Sequence, residues 1–252
     1  MKFKELLRHI LFYVSVPKCI ECGEILEYNA RPLCDKCHKK YSELKLSECS
    51  VCFNKIGNCT CSNPFMEKHF IKKACKVYRY RRDTENQVGN NLIYSLKQDN
   101  RRDVIDFLAS ELASAIIENK VITHSIDEYV ITSVPRRKRA IRHYGYDHAR
   151  LLAIAVANRL GVQYEQLLIS KTRRAQKEVA KDDRFANVQL DYIKRISDIS
   201  GKHVIIIDDI ITSGSSMSAC ATLIKGLGAK TIMAACIATA YKDKYVPFTK
   251  GN

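Results

Sequence analysis

The sequence predicts an α/β protein, a mostly parallel sheet flanked by helices, preceded by a small cysteine-rich module. From about residue 75 onward, short β-branched runs alternate with helix-spaced apolar segments, the pattern that crossover helices over a parallel sheet produce. Nine of the 11 cysteines lie in the first 75 residues, eight of them in close pairs. One stretch, Val204 to Ser216, joins a buried-strand pattern to two carboxylates and a loop of small hydroxyl residues. The 252 residues are 46% hydrophobic and 27% charged, a composition that excludes a collagen-like or wholly disordered chain. No uncharged apolar run approaches the roughly 18 residues of a membrane span.

Taken in order, Met1 to Val16 carries Lys2, Lys4 and Arg8 before the apolar run Ile10 to Val16. That run is too short for a signal peptide and no small-x-small cleavage pattern follows it. It reads as a short helix, packed or touching a membrane. The cysteines come next, as Cys19/Cys22, Cys34/Cys37, Cys49/Cys52 and Cys59/Cys61. A secreted disulfide framework rarely uses CxxC pairs so regularly, and an odd total of cysteines does not close one. Reduced thiolates on a metal fit better and imply a reducing, cytoplasmic compartment. A CxxC turn presents two thiolates to one side of a zinc tetrahedron, so two knuckles close one Zn2+ site. Cys19, Cys22, Cys34 and Cys37 make the first quartet; Cys49, Cys52, Cys59 and Cys61 make a second, ending in CxC. One zinc with spare thiols, or pairs exchanged between knuckles, are the alternatives. Four thiolates leave no open position, so the role is structural. Residues 1–75 form the double zinc-ribbon module and 76–252 the second domain.

In that domain, Ala74 to Tyr80 reads as a strand, and Asn86 to Lys97 and Arg102 to Glu118 as helices. Tyr129 to Val134 is a short strand stopped by Pro135. Asp147 to Leu160 is a helix ending at Gly161, and Leu167 to Ile169 a short strand. His203 to Ile207 is a buried strand, Ser215 to Leu227 a helix closed by Gly228, and Thr231 to Thr239 the last strand.

The chemistry concentrates in Val204 to Ser216, VIIIDDIITSGSS. Open parallel sheets bind ligands at the carboxyl ends of their strands, where Asp208 and Asp209 stand. Thr212, Ser213, Gly214, Ser215 and Ser216 then lead into a helix. Small side chains let backbone N–H groups approach a phosphate, and the helix dipole favours it. Adjacent carboxylates supply two acceptors for a ribose diol. A helix cap would explain one Asp but not the whole combination, which reads as a ribose-5-phosphate cradle.

This run resembles the signature of the type I phosphoribosyltransferases. The cysteine pairs, Leu92 to Lys97, Val134-Pro135 with its basic run, Gln176, Arg184, Asn187 and the loop together resemble the ComF family of competence proteins, from Cys19 to about Thr239. That family commonly has Arg-Gly-Phe-Asn-Gln where this chain has Tyr144 to His148, with only Gly145 kept; the resemblance therefore carries no anion contact to Tyr144. It implies a type I phosphoribosyltransferase-like fold that binds phosphoribosyl pyrophosphate with Mg2+, and a role in handling incoming single-stranded DNA.

The formal charge of +15 favours polyanionic partners. Arg136, Arg137, Lys138, Arg139 and Arg142 follow the strand that ends at Pro135, where the resemblance implies a pyrophosphate loop that also suits DNA. Lys171 to Arg184 resembles a hood over the site. Tyr78, Tyr80, Tyr144 and Tyr146 either pack or stack on bases, while His143 and His148 read as surface residues. Three functions share the cradle. One is a factor that binds phosphoribosyl pyrophosphate and single-stranded DNA in natural transformation, in the cytoplasm or at the inner face of the membrane, with competence or recombination proteins as partners. Another is an active transferase, with Asp208 and Asp209 as catalytic groups and a nitrogen acceptor. The third is a sensor of phosphoribosyl pyrophosphate.

Overall fold

The computed structural model describes residues 16–27, 31–80, 87–171, 190–193 and 198–240. The N-terminal segment 1–15 and most of the expected hood, with Gln176, Arg184 and Asn187, lie outside them. The first element is α1 (Asp35–Leu44), which starts directly after Cys34. Next comes α2 (Pro64–Lys68), whose first turn is closed by the Asn63 side chain accepting from the Met66 N–H at 2.8 Å. β1 (Ile71–Arg79) begins three residues earlier than the apolar pattern indicates. The helices α3 (Gln87–Gln98) and α4 (Arg102–Glu118) match their 3.6-residue periodicity.

β2 (Tyr129–Ser133) is buried throughout. After Pro135 the chain forms α5 (Lys138–Tyr144) rather than the expected basic loop. Gly145 ends it at φ 79°, a left-handed cap that favours glycine. Then follow α6 (His148–Leu160), β3 (Gln163–Tyr164) and β4 (Leu168–Ser170). β4 leaves the main sheet and pairs antiparallel with β5 (Leu190–Tyr192). β6 (His203–Ile211), α7 (Ser215–Gly226) and β7 (Thr231–Thr239) complete the order.

The main sheet is parallel, in the order β1-β7-β6-β2-β3. One apolar core fills one face, with Leu92, Leu108, Leu152, Ile205 and Ile207; the other face packs Val204, Ile206 and Ile224 with Met66. The first core is continuous with the cysteine module: Cys19, Leu33, Cys37 and Tyr41 belong to it. Tyr41 is fully buried, edge-on to Tyr78 at 5.8 Å and to Phe107 at 5.2 Å between centroids. Lys45 pairs with Glu111 at 2.7 Å, and the Asn119 side chain donates to the Gly57 carbonyl at 2.6 Å.

β6 is longer than its apolar run. It continues through Asp208 and Asp209 to Ile211, paired with β7 to the end. On its other side β2 stops at Ser133, opposite Ile207. Pro135 has no N–H with which to extend the ladder. The two carboxylates therefore sit inside a strand, at the step where its β2-side neighbour has ended.

Candidate functional site

A strand sends successive side chains to opposite faces, and this separates the two acids. Asp209 lies on the face of Ile205 and Ile207 and is 3% exposed. Its Oδ1 accepts from the Ile210 N–H at 2.9 Å. Its Oδ2 receives Lys97 Nζ at 2.8 Å and Arg136 at 3.3 Å, and His148 Nε2 lies 3.3 Å from it. Burial alone would raise this carboxyl; His148, Lys97 and Arg136 more than reverse that and hold it well below the usual carboxylate range. Asp208 takes the opposite course. Desolvation, then the neighbouring Asp209 charge, push it well above the usual range, against a smaller pull from Arg136. One acid is held as a carboxylate, and its neighbour favours the proton.

Asp208 lines a cleft of about 320 Å³ with Arg136, Arg137, Ser170, Leu190 and Ser216. Of the small-residue loop, Ser216 lines this cleft, in the first turn of α7. Gly214 sits at φ 81° as the cap of α7, and no acidic residue occupies the first turn. The Ser213 and Ser215 hydroxyls lie 2.8 Å apart. Thr212, Ser213 and Ser216 are exposed. Such a helix start offers free backbone N–H groups and a positive dipole end to an anion.

The segment after the last paired cysteine braces this loop. Asn63 Nδ2 donates to the Ser213 carbonyl at 3.2 Å. A Cβ built on Gly214 would lie 2.5 Å from Met66 Cγ. Glycine is thus required twice at this position, for its backbone angle and for its lack of a side chain.

The basic run divides. Arg136 is half-buried on Asp209, whereas Arg137, Lys138, Arg139 and Arg142 are exposed on or beside α5. His148 is a correction to the sequence reading: it is not on the surface but fully buried beside Asp209. Its place at the start of α6 puts it over the carboxyl end of the sheet, which one-dimensional polarity does not show. Tyr78 is likewise core, its hydroxyl donating to the Gly89 carbonyl at 2.8 Å. Tyr146 donates to the Leu96 carbonyl at 3.0 Å. Lys97, His148, Asn63 and Met66 were missed as site residues. Lys97 alone had a signal, as the last residue of the Leu92 to Lys97 segment.

The cysteines gather into two quartets, Cys19/Cys22/Cys34/Cys37 and Cys49/Cys52/Cys59/Cys61, with all four Sγ atoms of each within 4.8 Å of one another. The exchanged pairing is thereby set aside. Cys22 and Cys34 Sγ are 3.7 Å apart, close to the edge of a tetrahedron built on Zn–S bonds of about 2.3 Å. Each set therefore fits one Zn2+. Burial raises the Cys19 and Cys49 thiols, but backbone N–H donors outweigh it and bring each to about 7, the direction that favours a thiolate ligand, whereas burial pushes the Cys37, Cys59 and Cys61 thiols up.

A strand that carries an acid pair, followed by a small-residue anion loop on a parallel sheet, defines a phosphoribosyltransferase-like domain. Residues 147–249 match the family model "Phosphoribosyl transferase domain". Among curated proteins, DNA utilization protein YhgH of Escherichia coli O157:H7 is 26% identical over 147 residues, which cover 58% of this chain and 65% of that protein. The match thus spans a little under two thirds of the relative's length. Among solved structures, the allosteric regulatory enzyme of purine biosynthesis aligns with a TM-score of 0.38 and 19% identity, over 57% of this chain and 30% of that one. The purine phosphoribosyltransferase from Pyrococcus horikoshii Ot3 aligns at 0.36 and 18%, over 55% and 81%. Residues 147–249 thus match a phosphoribosyl transferase domain, behind a module with two four-cysteine clusters, and the chain's similarity to the DNA utilization proteins agrees with the ComF resemblance.

Proposed function

We propose that the protein binds phosphoribosyl pyrophosphate in the Asp208 cleft and single-stranded DNA over the exposed basic face of α5, and handles incoming DNA. The observation that carries this reading is the division of labour between the acids. Asp209 is consumed in holding Lys97, Arg136 and His148, so Asp208 faces the cleft as the ribose acceptor while the Thr212 to Ser216 loop takes the 5′-phosphate. Arg136 and Arg137 border the cleft where the pyrophosphate would lie. Mg2+ would neutralise that pyrophosphate, with Asp208 the carboxylate that lines the cleft. The two clusters hold structural Zn2+. The DNA assignment rests on the +15 charge, on Arg137, Lys138, Arg139 and Arg142, and on the name of the relatives.

Calorimetric titration of phosphoribosyl pyrophosphate with Mg2+ tests the cleft. The Arg136→Ala variant should lose binding tenfold or more, and unchanged affinity in a folded variant would overturn the assignment. A second reading is transfer of the phosphoribosyl group to a nitrogen acceptor, with pyrophosphate leaving from the cleft that Asp208, Arg136 and Arg137 line. Release of pyrophosphate on adding candidate nucleobases separates that enzyme from a binding factor.

A further inference from the structure

Parallel strands gather their first residues at one edge, and this sheet has a second cavity there. It measures about 440 Å³, within the usual range for small-molecule sites. It opens at the starts of β1, β2, β6 and β7, the edge opposite Asp208. Lys72, Lys73, Lys225 and Lys230 line it, and no carboxylate does among the described residues. Lys225 is engaged with the Ala229 carbonyl at 2.8 Å; Lys72, Lys73 and Lys230 are exposed. The nearby Glu128 carboxylate is turned to its own turn, accepting from the Ser125 N–H at 3.3 Å.

One wall is aromatic. The His203 ring stacks on His124 at 4.6 Å and 19° and on Tyr129 at 4.9 Å and 23°. His203 is 4% exposed. Its Nδ1 lies 2.6 Å from Thr231 Oγ1, but its Nε2 has no hydrogen-bond partner among the described residues. A buried, unpaired ring nitrogen carries a cost unless something answers it. Across the cavity Phe70 is 47% exposed at φ 71°, a backbone region that a bulky residue rarely adopts. An apolar ring is thus held toward solvent beside exposed ammonium groups.

We propose that this cavity is a separate binding site for a nucleoside phosphate, with the base against Phe70 and the aromatic wall and the phosphate among Lys72, Lys73 and Lys230. Stacking and charge-assisted contacts together select a ligand with both a flat ring and an anionic group. A free nucleotide and one nucleotide of a single strand carry the same chemistry. The site shares no residue with the Asp208 cleft, so the two readings stand or fall separately.

Thymidine 5′-monophosphate and a ten-nucleotide deoxythymidine strand, titrated separately against the full zinc-loaded chain, provide the test. The Lys72→Glu/Lys230→Glu variant changes only exposed side chains and should weaken the monophosphate tenfold or more, while phosphoribosyl pyrophosphate affinity stays within twofold. Phe70→Ser should weaken it less. Arg136→Ala should leave it unchanged. If, in an Arg137→Ala/Lys138→Ala/Arg139→Ala background that removes the α5 surface, the strand outbinds the monophosphate by more than tenfold at equal nucleotide concentration, the ligand is a strand; comparable affinities mark a free nucleotide. Unchanged affinity of the charge-reversal variant for both probes, or equal loss in Arg136→Ala, would overturn the proposal.

Discussion

The cysteine module and the parallel sheet solve the same problem by different means. The module is short and offers few apolar side chains of its own, and its eight paired cysteines gather into two clusters that each fit one Zn2+ to hold its turns. The sheet buries whole strands, such as Val204 to Ile207 and Ile232 to Ala238, and depends on contacts far apart in sequence. Yet the two share one core through Tyr41, Tyr78 and Phe107, and the module's exit braces the anion loop through Asn63 and Met66. The cysteine module thus supports a site made almost wholly by the other region.

Metal removal should break the comparison most strongly. Structural zinc contributes about 10 kcal/mol or more in small modules. Chelation should open residues 19–61 to protease and also lower the melting temperature of the sheet. A sheet that melts as before would mean the shared core is not cooperative.

Within the sheet, Asp209→Asn should cost about 2 kcal/mol, below the usual figure for a broken buried pair because Lys97 and Arg136 are partly exposed. The pH dependence follows from the depressed folded pKa. The stabilisation is present above the unfolded carboxyl value of about 4 and is lost as pH falls through the lower folded value. Acid unfolding curves of the variant should therefore lack that component.

Where the regions meet, Gly214→Ala should cost about 2 kcal/mol, from a left-handed backbone angle and the collision with Met66. Adding Met66→Ala should relieve the collision but not the angle, a non-additivity read from denaturant melts. Asp208→Asn sharpens the functional side. A raised folded pKa means the carboxylate opposes folding once pH rises above the unfolded value. Its neutral replacement should raise the melting temperature by about 2–4 °C at neutral pH while weakening phosphoribosyl pyrophosphate. The smallest change is expected from Arg137→Ala/Lys138→Ala/Arg139→Ala. Stability should hold, and the salt slope of single-strand binding should fall by about 0.7 for each DNA phosphate that the variant no longer neutralises.

Much of this was legible one residue at a time. Paired cysteines at fixed spacing, apolar runs with β-branched residues and 3.6-residue stripes are local patterns, and they marked both clusters, most helices and four strands of the main sheet; the two-residue β3 was missed, being too short to carry a pattern. The turn between Asp209 and α7 was legible for the same reason, since glycine and small hydroxyls carry local backbone demands. The helix α5 was hidden because its seven residues, KRAIRHY, are dominated by charge. The true length of β6 was hidden because Asp208 and Asp209 interrupt its apolar run.

What the chain by itself determined is therefore the inventory: two cysteine quartets, a parallel α/β scaffold and a carboxylate-and-hydroxyl loop at its carboxyl edge. Only the tertiary structure decided how the two acids differ. Strand alternation turns Asp209 into a buried pocket, and Lys97 from α3, Arg136 from the connection after β2 and His148 from α6 reach its Oδ2. Those residues lie 112, 73 and 61 positions away in sequence. Charge interaction falls with distance in space and not along the chain, so no reading of neighbours in the sequence could have brought them together.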